Sequence, residues 1–233
     1  MSPVTVVTGA AGALGSGVAR FLVGQGQRVA LVGRPKGDER ARDLAAELGP
    51  GAAFEGFDAV SDAAWTTALD RLEASLGPVT GGVLAVGGWR GGKPLWESDA
   101  YGAMIASNVD TAHAALRALL GRMIARRAGS VVVVGSRAVA RPWESAGAAA
   151  YAASKAAVVS LAQVAAAETL GHGVRVNAVL PSTIDTPANR AAMPKADPTT
   201  WVSIESLAGV IAFLLSDAAR DVSGAAVPVY GKA

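Results

Sequence analysis

A chain of 233 residues, 51% hydrophobic and 17% charged, is long enough for one larger domain and too apolar to remain disordered. It has no cysteine and only two histidines, His113 and His172, so disulfides, thiolate chemistry and a zinc or iron centre are not expected. A net charge of +2 is too small and dispersed to point to nucleic acid. No apolar run reaches the roughly 18 residues of a membrane span, and no signal segment opens the chain, so the expectation is a cytoplasmic protein acting on a small molecule.

Val4 to Thr8 (VTVVT) is a β-branched run suited to a strand covered on both faces. It breaks into Gly9-Ala10-Ala11-Gly12-Ala13-Leu14-Gly15 and then a helical pattern from Val18 to Val23. A strand, a glycine turn and a helix opening aim backbone N–H groups at a phosphate, although a plain strand-to-helix turn reads the same way. Arg28 to Val32 is a second strand. An acid at its end would receive the 2′-hydroxyl of NAD. Arg34 stands there instead, with Lys36 beyond it, and Asp38 opens the next helix, Asp38 to Leu48. Arg34 therefore reads as a clamp for the 2′-phosphate of NADP; the plainer reading is a solvated loop cation.

Ala52 to Phe57 is a third strand, followed by Asp58, whose carboxylate could accept from an adenine amino group or help cap a helix from about Ser61 to Leu76. Gly81 to Val86 is a fourth, leading into a glycine-rich loop with Trp89 and Arg90. Two helices follow, Ser98 to Ala106 and Asn108 to Arg127, with Asn108 either the N-cap of the second or a polar group inside it. Arg122, Arg126 and Arg127 lie near the end of the second, where the helix dipole favours cations. Ser130 to Gly135 is a fifth strand ending at Ser136, the place where parallel strands meet ligands. A loop, Arg137 to Ala150, precedes an alanine-rich helix from Tyr151 to about Leu170.

Gly173 to Leu180 is the sixth strand, closed by Pro181 to Pro187. Asn189 to Thr200 lacks core periodicity and reads as a mobile cover, so residues of about 187–202 form a substrate-covering segment within one domain spanning 1–233. A helix, Ser203 to Ser216, and a strand, Ala225 to Tyr230, finish the chain. The alternation predicts an α/β fold: one Rossmann-type, doubly wound parallel sheet of about seven strands with helices on both faces.

Tyr151 and Lys155, four residues apart, share one helix face. The charge of Lys155 is expected to pull the phenol below its usual pKa of about 10. Together with the glycine turn, Asn108 and Ser136, the pair resembles the short-chain dehydrogenase/reductase family over nearly the whole chain. The resemblance implies a catalytic set of Asn108, Ser136, Tyr151 and Lys155. It implies cofactor contacts at Gly9, Ala11, Gly12, Ala13, Leu14 and Gly15, at Arg34 and Asp58, and at Ala85 and Gly87. Further contacts fall at Tyr151 and Lys155 and at Pro181, Ile184 and Thr186. NADP(H) is the expected cofactor, with NAD(H) possible, and the expected assembly is a homodimer or homotetramer through the helices starting at Asn108 and Tyr151.

Two departures stand out. Leu84-Ala85-Val86-Gly87 replaces the family's Asn-Asn-Ala-Gly, and Ser136 and Tyr151 are 15 residues apart, slightly more than usual. Val86 to Gly92 and Ala178 to Asp197 are similar to a dihydropteridine reductase-like branch, although Ser136 and Arg34 depart from it. The implied activity is hydride transfer to a ketone or aldehyde with Tyr151 as general acid. The alternatives are reduction of a quinonoid pterin or related imine, and a non-catalytic NADP-binding sensor. Trp89, Arg137, Trp143 and Arg190, with Arg90, Arg141 and Trp201, suggest a planar or anionic substrate by stacking and by charge. Loop arginines are also commonly just solvated.

Overall fold

The central apolar runs lie side by side because burial on both faces leaves their backbone groups only neighbouring strands to bond. In the computed structural model, which describes residues 4–232, the strands form one sheet in the order β3-β2-β1-β4-β5-β6-β7. The strands are β1 (Val4–Thr8), β2 (Arg28–Gly33), β3 (Ala52–Gly56), β4 (Val79–Leu84), β5 (Gly129–Val134), β6 (Val174–Pro181) and β7 (Ala226–Val229). Every neighbouring pair is parallel. The helices are α1 (Ala13–Gly24), α2 (Glu39–Leu48), α3 (Asp62–Leu76), α4 (Tyr101–Met104), α5 (Thr111–Arg126), α6 (Ala149–Thr169), α7 (Pro187–Ala192) and α8 (Ile204–Leu215).

Successive strand residues point to opposite faces. So β5 gives Val131 and Val133 to a core shared with α3, α5 and α6, and Val132 and Val134 to one shared with α1, α2 and α8. Trp65, Leu119 and Met123 fill the first, and Leu22, Leu207 and Ile211 the second. Truncating any one of these to alanine is expected to cost about 2–5 kcal/mol. The stretch Ala149–His172 is long and apolar enough by composition to cross a membrane. Its apolar character is used in packing: Val158, Val159, Ala162 and Ala166 are buried in the core beneath the sheet.

Three local features differ from the sequence expectation. The helix break expected at Asn108 is absent; α4 runs into α5 through a π-helical turn, Ile105–Asp110, so Asn108 is a buried group within a helix and not an N-cap. β4 ends at Leu84 and not at Val86, because the Thr8 hydroxyl takes the Ala85 and Val86 N–H groups at 3.1 and 3.4 Å in place of a strand partner. The basic cluster has acidic partners on α3: Arg122 meets Asp70 at 2.6 Å and Glu73 at 2.9 Å, and Arg126 meets Glu73 at 2.6 Å.

The strand order reverses between β1 and β4, which opens a crevice beyond their carboxyl ends. The functional candidates belong to the loops on that side and to the helices that follow them, with Asn108 in the π-helical turn and Tyr151 and Lys155 on α6.

Candidate active site

The glycine turn is shaped by contacts that a side chain would destroy. Gly9 has φ +70°, and a Cβ there would lie 2.9 Å from the Ala85 backbone. A Cβ on Gly15 would lie 2.3 Å from the Gly9 oxygen. Gly12 donates its N–H to that oxygen at 2.9 Å and caps α1 with no side-chain acceptor. The first-turn N–H groups of α1, at Ala13, Leu14 and Gly15, therefore face the crevice side without a capping oxygen, which suits a phosphate. Ala13 is exposed, so its methyl group does not close the cradle. Ala11, partly buried, packs onto the core below.

Across the crevice, Leu84 and Ala85 stand where the family's asparagines would hold the backbone. Two other residues do that work. Thr8 pins Ala85 and Val86, and the Asn108 side chain grips Gly88, accepting from its N–H at 2.7 Å and donating to its carbonyl at 3.2 Å. A Cβ on Gly87 would lie 2.9 Å from Asn108 Oδ1 and 3.1 Å from Lys155 Nζ. Gly87 thus forms a floor between the turn and the catalytic candidates.

At the end of β2, Arg34 is present as expected, but it is not alone. Asp38 turns back and accepts from the Arg34 backbone N–H at 2.6 Å and from its guanidinium at 3.0 and 3.3 Å. Asp58, at the end of β3, is exposed, and its Oδ1 accepts from Val60 N–H at 3.2 Å. The cap of α3 is Ser61, so Asp58 is not needed for that purpose.

Ser136, Tyr151, Lys155 and Asn108 come together from three elements. Ser136 follows β5, and its oxygen accepts from Ala138 N–H at 3.2 Å, which leaves the hydroxyl proton free to be donated. It lies close to the half-buried Tyr151 phenol. Burial pushes the Tyr151 pKa above its usual value, and the Ser136 hydroxyl acts in the opposite sense. This corrects the expectation that Lys155 sets the phenol. Lys155 Nζ instead donates to the Val134 carbonyl at 2.8 Å, and burial lowers its pKa to about 8. Asn108 Nδ2 donates to Ser154 Oγ at 2.8 Å, and Ser154 donates to the Tyr151 carbonyl at 2.8 Å. The Asn108 side chain is thus committed to positioning the Gly88 loop and the first turn of α6.

The mouth is aromatic. Trp89 and Trp143 are 64% and 73% exposed, on loops tied by a 2.9 Å bond from Gly92 N–H to the Gly147 carbonyl. Trp96, seven residues after Trp89, is 83% exposed, and no periodic pattern in the sequence singles it out. The arginines are less available than expected. Arg137 and Arg141 both pair with Glu144, at 3.4 and 3.2 Å, and both lie over the Tyr230 ring. Arg190 forks onto Asp185 at 2.6 and 2.7 Å, which holds that carboxyl below its ordinary value. Charge alone therefore gives little reason to expect an anionic substrate at these three positions. Past Pro181, which ends β6, Ile184 bridges to Val202 and Thr186 caps α7 by accepting from Asn189 N–H at 3.1 Å. The segment between is mostly exposed and is anchored at both ends.

A cleft of about 820 Å³ lies at the opposite, amino end of the strands, lined by Thr80, Arg127, Arg175 and Asp217 among others. Its most buried cation, Arg175, is engaged with the carbonyls that end α8, from Leu214 at 2.7 Å to Ser216 at 3.0 Å. The candidate set of Ser136, Tyr151 and Lys155 lies at the other, carboxyl end.

The short chain dehydrogenase family model matches residues 3–197. The chain belongs to the short-chain dehydrogenase family. Its members are NAD(P)-dependent oxidoreductases acting on CH–OH and C=O groups, and this chain is one of them. A short-chain dehydrogenase relative from Xanthobacter autotrophicus, named an inactive 2-(S)-hydroxypropyl-CoM dehydrogenase 2, is 36% identical, covering 92% of this chain and 98% of the relative. A solved short-chain type dehydrogenase/reductase from Mycobacterium ulcerans superposes with a TM-score of 0.89 at 29% identity, covering 100% of this chain and 90% of that one. An NAD⁺-bound xylitol dehydrogenase structure gives 0.88 at 25% identity, covering 98% of each.

Proposed function

We propose that this short-chain dehydrogenase reduces a ketone or aldehyde with NADP(H), Tyr151 acting as general acid. The observation that carries this reading is the convergence of Ser136, Tyr151 and Lys155 beside the Gly87 floor, opposite the glycine turn. A reduced nicotinamide bound there would supply the hydride to the carbonyl carbon. Tyr151 passes its phenol proton to the oxygen that gains charge. Burial keeps the phenol protonated at neutral pH, which suits an acid. Ser136 donates a second hydrogen bond to the same oxygen, where it is strongest as charge develops. Lys155, held at the Val134 carbonyl beside Gly87, would bond the ribose hydroxyls. The cradle residues Gly9 to Gly15, with Asp58, Ala85, Pro181, Ile184 and Thr186, are the proposed remaining cofactor contacts.

Arg34 at the end of β2 supports NADP(H), and NAD(H) is accepted as well. Trp89 and Trp143 flank a planar substrate, and residues of about 187–202 cover it. The assembly is a homodimer or homotetramer through α5 and α6, in the cytoplasm; exposed Val164 on α6 supports that face. The name of the inactive relative favours one second reading, a protein that binds the dinucleotide without turnover.

The test is titration with NADPH and NADH followed by nicotinamide fluorescence, then turnover with aromatic ketones, diketones and quinonoid dihydropterin. Ketone turnover supports the proposal, and turnover of the pterin alone moves the substrate to an imine. Binding without any turnover favours the sensor.

A further inference from the structure

Asp38 occupies the N-cap position of α2, where an aspartate ordinarily bonds the N–H groups of the first turn. Here its side chain makes no such bond. The carboxylate is instead turned to the end of β2, where it takes the Arg34 N–H at 2.6 Å and the guanidinium at 3.0 Å. The room for this comes from Gly33, the last residue of β2, since a Cβ there would lie 2.5 Å from Asp38 Oδ2. The pair is lopsided: the Asp38 side chain is 10% exposed and that of Arg34 is 74% exposed. A largely buried carboxylate thus sits at the strand end, and an exposed cation leans on it. The sequence has no acid at this place; the turn through Pro35 and Gly37 returns one.

The end of β2 is where sheets of this order receive the adenosine ribose, with an acid serving the 2′-hydroxyl of NAD and an arginine serving the 2′-phosphate of NADP. Both groups are present and oppose each other. We infer that Asp38 is a cofactor-specificity residue, which limits the preference for NADP(H) by engaging Arg34 and by presenting a fixed carboxylate to the 2′ position. The inference rests on the dinucleotide-binding reading above. A 2′-phosphate must draw Arg34 away from Asp38 and lie near a second negative charge, whereas a 2′-hydroxyl can donate to the carboxylate while the pair stays intact. Lys36, also in this turn, adds a second exposed cation, and Glu39, whose carboxylate accepts from the Gly37 N–H at 3.3 Å, adds an acid close by.

The test is the ratio of Kd values for NADH and NADPH, read by nicotinamide fluorescence on the intact chain without substrate. Asp38→Asn keeps the shape and removes the charge, and should shift the ratio toward NADPH by about tenfold or more, the weight of one charge-assisted contact. Gly33→Ala should shift it in the same direction, since the new methyl group evicts the carboxylate. Arg34→Ala should reverse the preference to NADH. If Asp38→Asn does not fold, Gly33→Ala and Arg34→Ala carry the test. An unchanged ratio in the first two variants, or a shift toward NADH, overturns this inference while leaving the proposed function intact. A wild-type protein that binds neither dinucleotide overturns both.

Discussion

Lys155 is a buried ammonium whose Nζ donates to the Val134 carbonyl at 2.8 Å, and among the described residues no carboxylate pairs with it. Burial brings its pKa from 10.5 to about 8. The folded value lies below the unfolded one, so between the two the unfolded chain binds more protons and stability rises with pH. At about 1.4 kcal/mol per pKa unit, the buried charge costs the fold about 3 kcal/mol at pH 7, of which about 2 kcal/mol is recovered by pH 9.5. Lys155→Met keeps the volume, removes the titration and leaves the Val134 carbonyl without its donor, a pH-independent offset of about 1 kcal/mol. The assay is urea unfolding of the cofactor-free protein and the variant from about pH 7 to about 9.5. The difference between them cancels the other titrating groups, and the wild type should gain about 2 kcal/mol relative to the variant across that range. A difference that stays flat with pH would refute the reasoning.

Tyr151→Phe should lower kcat by about 10²–10⁴ while dinucleotide affinity and the melting temperature stay near wild type; steady-state kinetics with unchanged turnover would remove Tyr151 as the acid. Asn108→Ala strands the Gly88 N–H and frees the Ser154 hydroxyl, so a thermal melt should show a loss of about 1–3 kcal/mol together with weaker cofactor binding. Gly9→Ala forces a side chain into positive φ and against Ala85 at 2.9 Å; dinucleotide affinity should collapse while circular dichroism keeps its helical shape. Glu144→Gln releases Arg137 and Arg141, and should raise kcat/KM for a carboxylate-bearing ketone relative to its neutral amide.

The strands and the order of the catalytic residues are legible in the sequence because they rest on local signals: β-branched runs, a glycine turn and two residues on one helix face. Asn108 was legible as a polar helix residue, but its π-helical setting was not. Within that turn Asn108 makes long-range bonds to Gly88 and Ser154, at separations of 20 and 46 residues, which local spacing does not reveal. The same holds for the phenol. Spacing alone put Lys155 in charge of the Tyr151 pKa, whereas burial and a serine from another strand end set it. The acids that engage Arg34 and Arg137, Asp38 and Glu144, reach them only through a turn and a short helical loop, which residue spacing does not reveal. The missing asparagine after β4 likewise found its replacement in Thr8, which is distant in sequence and adjacent in the sheet.

The central claim is hydride transfer assisted by Tyr151, and isotope tracing tests it directly. The protein is incubated with NADPH carrying deuterium on the transferring carbon and with a panel of aromatic ketones and diketones, and the alcohols are weighed by mass spectrometry. The account predicts an alcohol carrying one deuterium from the wild type and a trace of it from Tyr151→Phe. Deuterated alcohol formed equally by both proteins, or by neither with NADPH or NADH, would contradict it.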